Sequence, residues 1–174
     1  MMLHPNKIYL HLGLEKPVRI LHLTDPHLSV ADEKDGEWCR QRAADRRNVF
    51  FKEAGFPERD PIGYLEEAME YSREFDCTVI TGDIMDHAFY GTCTLTKKLL
   101  AGKDYLFCAG NHEYLRYVAP KEFSTDIPAV LEDVQACFRG NMIFESRIVG
   151  GVNIIAADNG TVLWREEILP LLKA

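Results

Sequence analysis

Three short turns carry the side chains in this sequence that are best suited to chemistry. They are Asp25-Pro26-His27, Gly82-Asp83-Ile84-Met85-Asp86 and Gly110-Asn111-His112-Glu113. Each turn directly follows an apolar run that is typical of a buried strand. Because ligands bind at the carboxyl ends of strands in open α/β sheets, we expect the three turns to meet at one site. Their carboxylate, imidazole and amide groups indicate metal ions and a phosphorylated substrate.

The first two turns offer the strongest metal-ligand candidates. Asp25 and His27 are two residues apart in a segment that we expect to be extended, so their side chains should point the same way. Carboxylate and imidazole together suit Mn, Fe or Zn rather than Ca. Asp83 follows Gly82 and could bridge two metals that clamp a phosphoryl group. Taken alone, Asp25 is more typical of a turn-capping residue beside an incidental histidine.

Four further residues of the turns complete the candidate site. Asp86 is expected to support a ligand from behind, and an N-cap is an equally compatible role. Asn111 could offer an amide oxygen to a metal, although Gly-Asn is also a common turn pair. His112 could protonate a leaving alkoxide or stabilise charge on the phosphoryl oxygens. Glu113 could orient His112.

Substrate contacts have weaker signals. A group of arginines after the first turn could grip a phosphate or a nucleotide. The group consists of Arg40, Arg42, Arg46 and Arg47. A solvated helix face with interspersed Glu37 and Asp45 is the simpler interpretation. We expect His87 to be a loop residue near the substrate, with a surrogate metal ligand as the alternative.

The segments around the turns alternate between strands and helices. Strands are predicted at 8–12, 19–23, 78–81, 105–109, 142–148 and 152–157, and helices at 37–51, 61–75, 92–100, 127–138 and 165–172. Residues 8–12 and 19–23 are expected to form a hairpin, and residues 114–124 a loop. This order predicts an α/β layered fold with a mixed sheet. We expect one domain over residues 1–174, with a helical insert around 29–60.

Composition restricts the class of function. The chain has 174 residues, of which 47% are hydrophobic, enough for one domain with a proper core. The net charge of −7 argues against general nucleic-acid binding, although bound divalent cations would invert the charge of an acidic site. Five cysteines without a C-x-x-C pair predict reduced thiols. Without a visible secretory signal or apolar span, we expect a cytoplasmic protein with no membrane partner.

Asp-x-His, Gly-Asp-x-x-Asp and Gly-Asn-His-Glu, in this order, resemble the first three motifs of the calcineurin-like metallophosphoesterase superfamily. The resemblance covers residues 19–113 and extends through flanking strands to about residue 158. It implies a four-layer α/β/β/α sandwich with two divalent ions, Mn, Fe or Zn. It also implies that Asp25 and His27 hold the first ion and that Asn111 holds the second. Asp83 would then bridge the two ions, and His112 would contact the scissile phosphate.

The sequence departs from the superfamily pattern after the third turn. The pattern continues with a single His and then a Gly-His-x-His turn, whereas this sequence has six histidines and none after His112. We therefore expect the N-terminal part of a longer protein or a shortened relative, with an incomplete sandwich. At most one ion is expected to bind tightly, and hydrolysis should be poor. The uncovered sheet face predicts self-association.

Two functions remain in competition from the sequence. The first is a metal-dependent phosphomonoesterase or phosphodiesterase that acts on a small phosphoester or a nucleotide, with a metal-bound hydroxide as the nucleophile that the resemblance implies. The second is a phosphoesterase-fold binding or scaffold module that has lost catalysis, which the missing histidines favour. A nuclease would require a DNA-binding surface that the sequence does not reveal.

Overall fold

A three-stranded parallel sheet positions the three turns in the computed structural model, which describes residues 5–53, 60–160 and 166–172. Its strands are β1 (Ile20–Leu23), β2 (Cys77–Thr81) and β3 (Leu106–Cys108), in the spatial order β1-β2-β3. Both pairs are parallel, with Leu23 beside Ile80 and Thr81 beside Cys108. All three strands therefore end at the same edge, where the turns begin.

Helices connect and cover this sheet. They are α1 (Gly36–Glu53), α2 (Pro61–Tyr71), α3 (Tyr90–Leu100), α4 (Ile127–Gln135) and α5 (Ile168–Leu171), with 3₁₀ turns at Glu33–Asp35, Ser72–Glu74 and His112–Tyr114. Local sequence explains two of the starts. The Asp60 side chain accepts a hydrogen bond from Gly63 N, and the Asp126 side chain accepts one from Ala129 N. Each cap is followed by a proline in the first turn of its helix.

Two antiparallel hairpins complete the described structure. One joins β4 (Tyr117–Ala119) to β5 (Glu122–Phe123), and the other joins β6 (Phe144–Val149) to β7 (Val152–Ala157). Pairing in the second hairpin runs from Phe144 beside Ala157 to Val149 beside Val152. Its turn uses Gly150 and Gly151 at φ 54° and 86°, a backbone region that favours glycine.

The alternation of side chains along the parallel strands creates two apolar layers. Ile80 and Phe107 point into the main core, which they share with residues of α2, α3 and α4. The stacked rings of Phe107 and Phe138 have centroids 3.7 Å apart in this core. Val79 and Leu106 point the other way and pack against the β6–β7 hairpin. The parallel sheet therefore lies between helices and a second β-layer.

The structure confirms the predicted α/β layered fold, with a correction to the sheet. Parallel and antiparallel pairs lie in separate sheets rather than in one mixed sheet. The layers seen here are consistent with the implied sandwich. The helix predicted over 165–172 is observed as α5, whereas Arg165 lies outside the described residues.

Residues 8–12 do not form the predicted strand or its hairpin with β1. They have no regular secondary structure, and the Ile8, Tyr9 and Leu10 side chains are 85%, 79% and 76% exposed. Alternating apolar residues form a strand only where a neighbouring backbone accepts their hydrogen bonds. The strand β1 instead pairs with β2 across more than 50 residues of sequence.

The segment 114–124 is not the predicted loop. It contains the end of a 3₁₀ turn and the β4–β5 hairpin, which Lys121 helps to reverse at φ 62°. Tyr117 and Phe123 stack across the hairpin with ring centroids 4.2 Å apart. Cross-strand aromatic pairs of this kind stabilise short hairpins. Strands of only two or three residues show no recognisable alternation in the sequence, so this hairpin could not be predicted from it.

Apolar side chains remain on the surface of the described part of the chain. Ile148 and Ile155 on the outer face of the β6–β7 hairpin are 74% and 42% exposed. Self-association through this face stays a prediction. Within residues 5–53, 60–160 and 166–172, no helix has the length and apolar character needed to span a membrane.

The close approach of the second and third turns generates a prediction about Gly82. A Cβ at Gly82 (φ 72°) would lie 2.3 Å from Gly110 N, whereas Gly102 (φ 68°) has open space at that position. We expect Gly102→Ala to cost about 1–2 kcal/mol of unfolding free energy from the left-handed backbone alone. Gly82→Ala should cost roughly 1–3 kcal/mol more because backbone must move. Urea denaturation measures both, and equal losses would contradict a tight approach.

Candidate active site

The first turn curls instead of continuing as an extended segment. Asp25 and His27 have φ values of 55° and 48°, in a region that residues other than glycine rarely adopt. The turn is held by backbone hydrogen bonds from His27 N to Asp83 O (2.9 Å) and from Leu28 N to Ile84 O (2.7 Å). The predicted extended geometry is wrong, yet the curl still brings His27 Nε2 within 3.6 Å of Asp25 Oδ1.

Asp83 lies between the first and third turns. Its Oδ2 is 4.0 Å from His27 Nε2, and its Oδ1 accepts a hydrogen bond of 3.1 Å from His112 N. The residue itself has φ 49°, and its side chain is only 14% exposed. The two carboxylate oxygens of Asp83 thus face different turns.

The donor atoms at this edge of the sheet fit a divalent metal ion. His27, Asp83 and His112 each offer a ligand atom, all within 4.8 Å of one another. Asp25 adds the carboxylate oxygen that lies 3.6 Å from His27 Nε2. Metal–ligand bonds of about 2.1 Å place neighbouring ligand atoms about 3–3.5 Å apart, so small side-chain movements would close a shell. The mixed nitrogen and oxygen donors suit a divalent transition metal.

Asp86 is fully buried behind these donor atoms. Arg46 donates two hydrogen bonds to it, from Nε to Oδ2 (2.9 Å) and from Nη2 to Oδ1 (2.7 Å). His87 Nδ1 lies 2.9 Å from Oδ2, an ion-pair distance without hydrogen-bond alignment. Although burial opposes ionisation, His87 and Arg46 hold the pKa of Asp86 well below its usual range. Asp86 does not cap the following helix, which begins after Phe89, and its role in supporting a metal ligand stays a prediction.

Asp86 also faces the two imidazole rings of the site. Its backbone carbonyl lies 2.6 Å from His112 Nδ1, and its Oδ1 lies 3.8 Å from His27 Nδ1. The His27 ring meets His112 edge-on, with centroids 4.7 Å apart. Burial first, and then the neighbouring His112, lower the pKa of His27. A neutral imidazole is the form that binds metals.

Glu113 makes contacts different from those expected. It is fully buried, and its Oε2 accepts hydrogen bonds of 2.8 Å from both Asp83 N and Gly110 N. Its Oε1 accepts one of 3.1 Å from Met85 N. Burial raises the pKa of Glu113 to about 7 despite these donors. Glu113 therefore ties the second turn to the third, and the contact that orients His112 comes from the Asp86 carbonyl instead.

The structure places the other candidates, Asn111, Arg40 and Arg46, in three different surroundings. Asn111 is exposed, and its backbone carbonyl accepts a hydrogen bond of 3.3 Å from Tyr114 N. Its role as a metal ligand stays a prediction. Arg40 contacts Glu37 on the solvated face of α1, which agrees with the simpler interpretation. Arg46 contacts Asp86 instead of facing an open substrate surface.

His87 lies in the loop between the second turn and α3, as expected. Its side chain is only 4% exposed and packs between Phe89 and Tyr117, with ring centroids 5.4 Å and 4.8 Å away. Its position near the substrate stays a prediction. Its ring is 6.0 Å from that of His112, so it belongs to the packing behind the site.

Sequence reasoning missed Phe50 as a contact of the site. Its ring stacks on His27 with centroids 4.8 Å apart and an interplanar angle of 16°. The only sequence signal is that Phe50 lies four residues after Arg46, which places both on one face of a helix. Nothing local shows that this face packs against the first turn.

The contacts of Glu113 generate a stability prediction. Glu113→Gln keeps one acceptor oxygen but places an amide N–H group against a backbone N–H donor. We expect it to lower the free energy of unfolding by about 1–3 kcal/mol at pH 8. The exposed Glu122→Gln in β5 is the matched control and should change little. Chemical denaturation compares them, and an unaltered Glu113→Gln midpoint would contradict the assigned role.

Comparison with known proteins agrees with the geometry. The family model for calcineurin-like phosphoesterases matches residues 18–170, which include all three turns and both β-layers. No curated protein sequence matches the chain. The match covers most of the chain and confirms the resemblance carried by the turns. The chain therefore belongs to the calcineurin-like phosphoesterase family.

Proposed function

We propose that this chain is a metal-dependent hydrolase of phosphomonoesters or phosphodiesters. Family membership supports metal-dependent phosphoester hydrolysis in general. The observation that carries the proposal is the convergence of two proposed metal ligands, His27 and Asp83, with the proposed catalytic residue His112, whose side-chain donor atoms lie within 4.8 Å of one another where three strands end. This site is where the fold class binds ligands.

The proposed metal ligands are Asp25, His27, Asp83 and Asn111. Asp25 and His27 would hold the first ion, and Asp83 Oδ2 approaches the same space. Asp83 Oδ1 faces the third turn, which supports a bridging role with Asn111 beside a second ion. Bound Mn, Fe or Zn would polarise the phosphoryl oxygens and lower the pKa of a bound water.

His112 is the proposed catalytic residue. The Asp86 carbonyl is 2.6 Å from its Nδ1 and fixes which ring nitrogen faces away from the site. The opposite nitrogen, Nε2, is then the atom that can hold a proton for a leaving oxygen or contact the phosphoryl group. The side chain is 22% exposed, so a substrate can reach it.

The proposed substrate is a small phosphoester or a nucleotide. A net charge of −7 supports a small substrate over a nucleic acid. We also propose a cytoplasmic location, which the five free and buried cysteines support. A binding or scaffold module that has lost catalysis remains the second candidate, because the donors proposed for the second ion are few: one oxygen of Asp83 and the neutral, exposed Asn111.

Asp83→Asn tests the enzymatic proposal against the second candidate. Loss of the central carboxylate should weaken Mn²⁺ binding by at least the roughly 10–100-fold that outer-shell changes cause. Hydrolysis of bis-nitrophenyl phosphate should fall with it. Asp126→Asn is the matched control, since Asn caps a helix as well as Asp does. Calorimetric titration with Mn²⁺ and nitrophenolate release measure the two effects.

The outcomes separate the two candidates. Equal hydrolysis by wild type and Asp83→Asn would exclude a bridging role for Asp83. Tight Mn²⁺ binding by a wild-type protein that releases no nitrophenolate would contradict the enzyme and favour the binding module.

A further inference from the structure

Helix α1 covers the candidate active site with two side chains from one face. Arg46 and Phe50 are four residues apart, so they lie one above the other on the helix. The Arg46 guanidinium carbon is 4.6 Å from the centroid of the Phe50 ring, and that ring stacks on His27 at 4.8 Å. Through this pair, α1 contacts the first turn at His27 and the second turn at Asp86.

The contact with Asp86 has consequences for both imidazole rings. Asp86 Oδ1 lies 3.8 Å from His27 Nδ1 and 3.6 Å from His112 Nδ1. The Asp86 carbonyl is closer still to His112 Nδ1, at 2.6 Å. Both Nδ1 atoms therefore face Asp86, although only that of His112 is within hydrogen-bond distance of it, through the Asp86 carbonyl.

Arg46 fixes that position in a way that the other neighbours of Asp86 do not. Its guanidinium reaches both carboxylate oxygens, at 2.9 Å and 2.7 Å, which determines the plane of the carboxylate. Ser29 Oγ is a neutral donor 3.3 Å from Oδ2, and His87 also approaches only Oδ2. Arg46 also supplies a positive charge that offsets the cost of burying the Asp86 carboxylate.

We propose that Arg46 is a positioning residue of the active site, acting through Asp86 to hold the imidazoles of His27 and His112 in the orientation that metal binding and catalysis require. The catalytic part of this inference rests on the proposed function. The orientation of the rings does not, because it is argued only from the contacts that Arg46, His27 and His112 make with Asp86. Arg46 thereby has a role other than the phosphate contact that the sequence suggested.

Arg46→Lys is the discriminating variant. Lysine keeps the positive charge, but its single ammonium group does not reproduce the two hydrogen bonds that the Arg46 guanidinium donates to the two carboxylate oxygens of Asp86. Arg147→Lys is the matched control: its side chain is 28% exposed, against 26% for Arg46, and it also contacts both oxygens of a carboxylate, that of Asp104. The control contact is away from the site, because Asp104 lies before the start of β3 and the site lies beyond its end.

The first measurement uses metal-free protein. Imidazole ¹⁵N NMR should show displaced His27 and His112 signals in folded Arg46→Lys and unchanged signals in Arg147→Lys. Wild-type signals in Arg46→Lys, accompanied only by a lower melting temperature, would overturn the proposal. If Arg46→Lys does not fold, the double variant Arg46→Met/Asp86→Asn removes both charges. It should show the same displacement, and wild-type signals there would equally overturn the proposal.

The second measurement uses Mn²⁺ and bis-nitrophenyl phosphate. Arg46→Lys should bind Mn²⁺ roughly 10–100-fold more weakly, and kcat should fall at Mn²⁺ saturation with little change in KM. Added guanidinium should partly restore Mn²⁺ affinity to Arg46→Ala. A raised KM with unchanged kcat would mean that Arg46 contacts substrate, which would overturn the proposal. If wild type hydrolyses nothing, the proposed function fails, while the NMR comparison still decides the role of Arg46.

Discussion

The buried carboxylate of Glu113 is the constraint on which the geometry of the site depends. It accepts backbone hydrogen bonds from Asp83, Met85 and Gly110, which belong to two different turns. These N–H groups lie just past the strand ends, where no sheet partner continues to receive them. One side chain therefore replaces several ladder hydrogen bonds, and it draws the second and third turns together at the same time.

This junction explains why the turns adopt an unusual backbone. Asp25, His27 and Asp83 all have positive φ values, each of which costs free energy for a residue with a side chain. Hydrogen bonds from the first turn to the second offset that cost, and the absence of a Cβ at Gly82 lets the third turn approach. Of the four non-glycine residues with positive φ among those described, all but Lys121 lie at the candidate metal site, a distribution expected of functional sites.

Local signals account for the part of the molecule that the sequence predicts well. Apolar runs mark β2 and β3, and Asp60 with Pro61 marks the start of α2, because strands and caps depend on neighbouring residues. The contact between Arg46 and Asp86 joins residues 40 apart. The contacts of Glu113 form only when the second and third turns pack against each other in the folded protein. Such contacts follow from how elements dock, which neither spacing nor composition encodes.

The arrangement of donors is unequal between the two metal positions that the family implies. Asp25 Oδ1 and Asp83 Oδ2 each approach His27 Nε2, at 3.6 Å and 4.0 Å. Towards the third turn, the candidates are the second oxygen of Asp83 and the exposed Asn111, a neutral ligand. Affinity rises with charged and pre-positioned ligands. On the proposed ligand set, the first position should therefore fill before the second, because the donors that face the third turn are fewer and less charged.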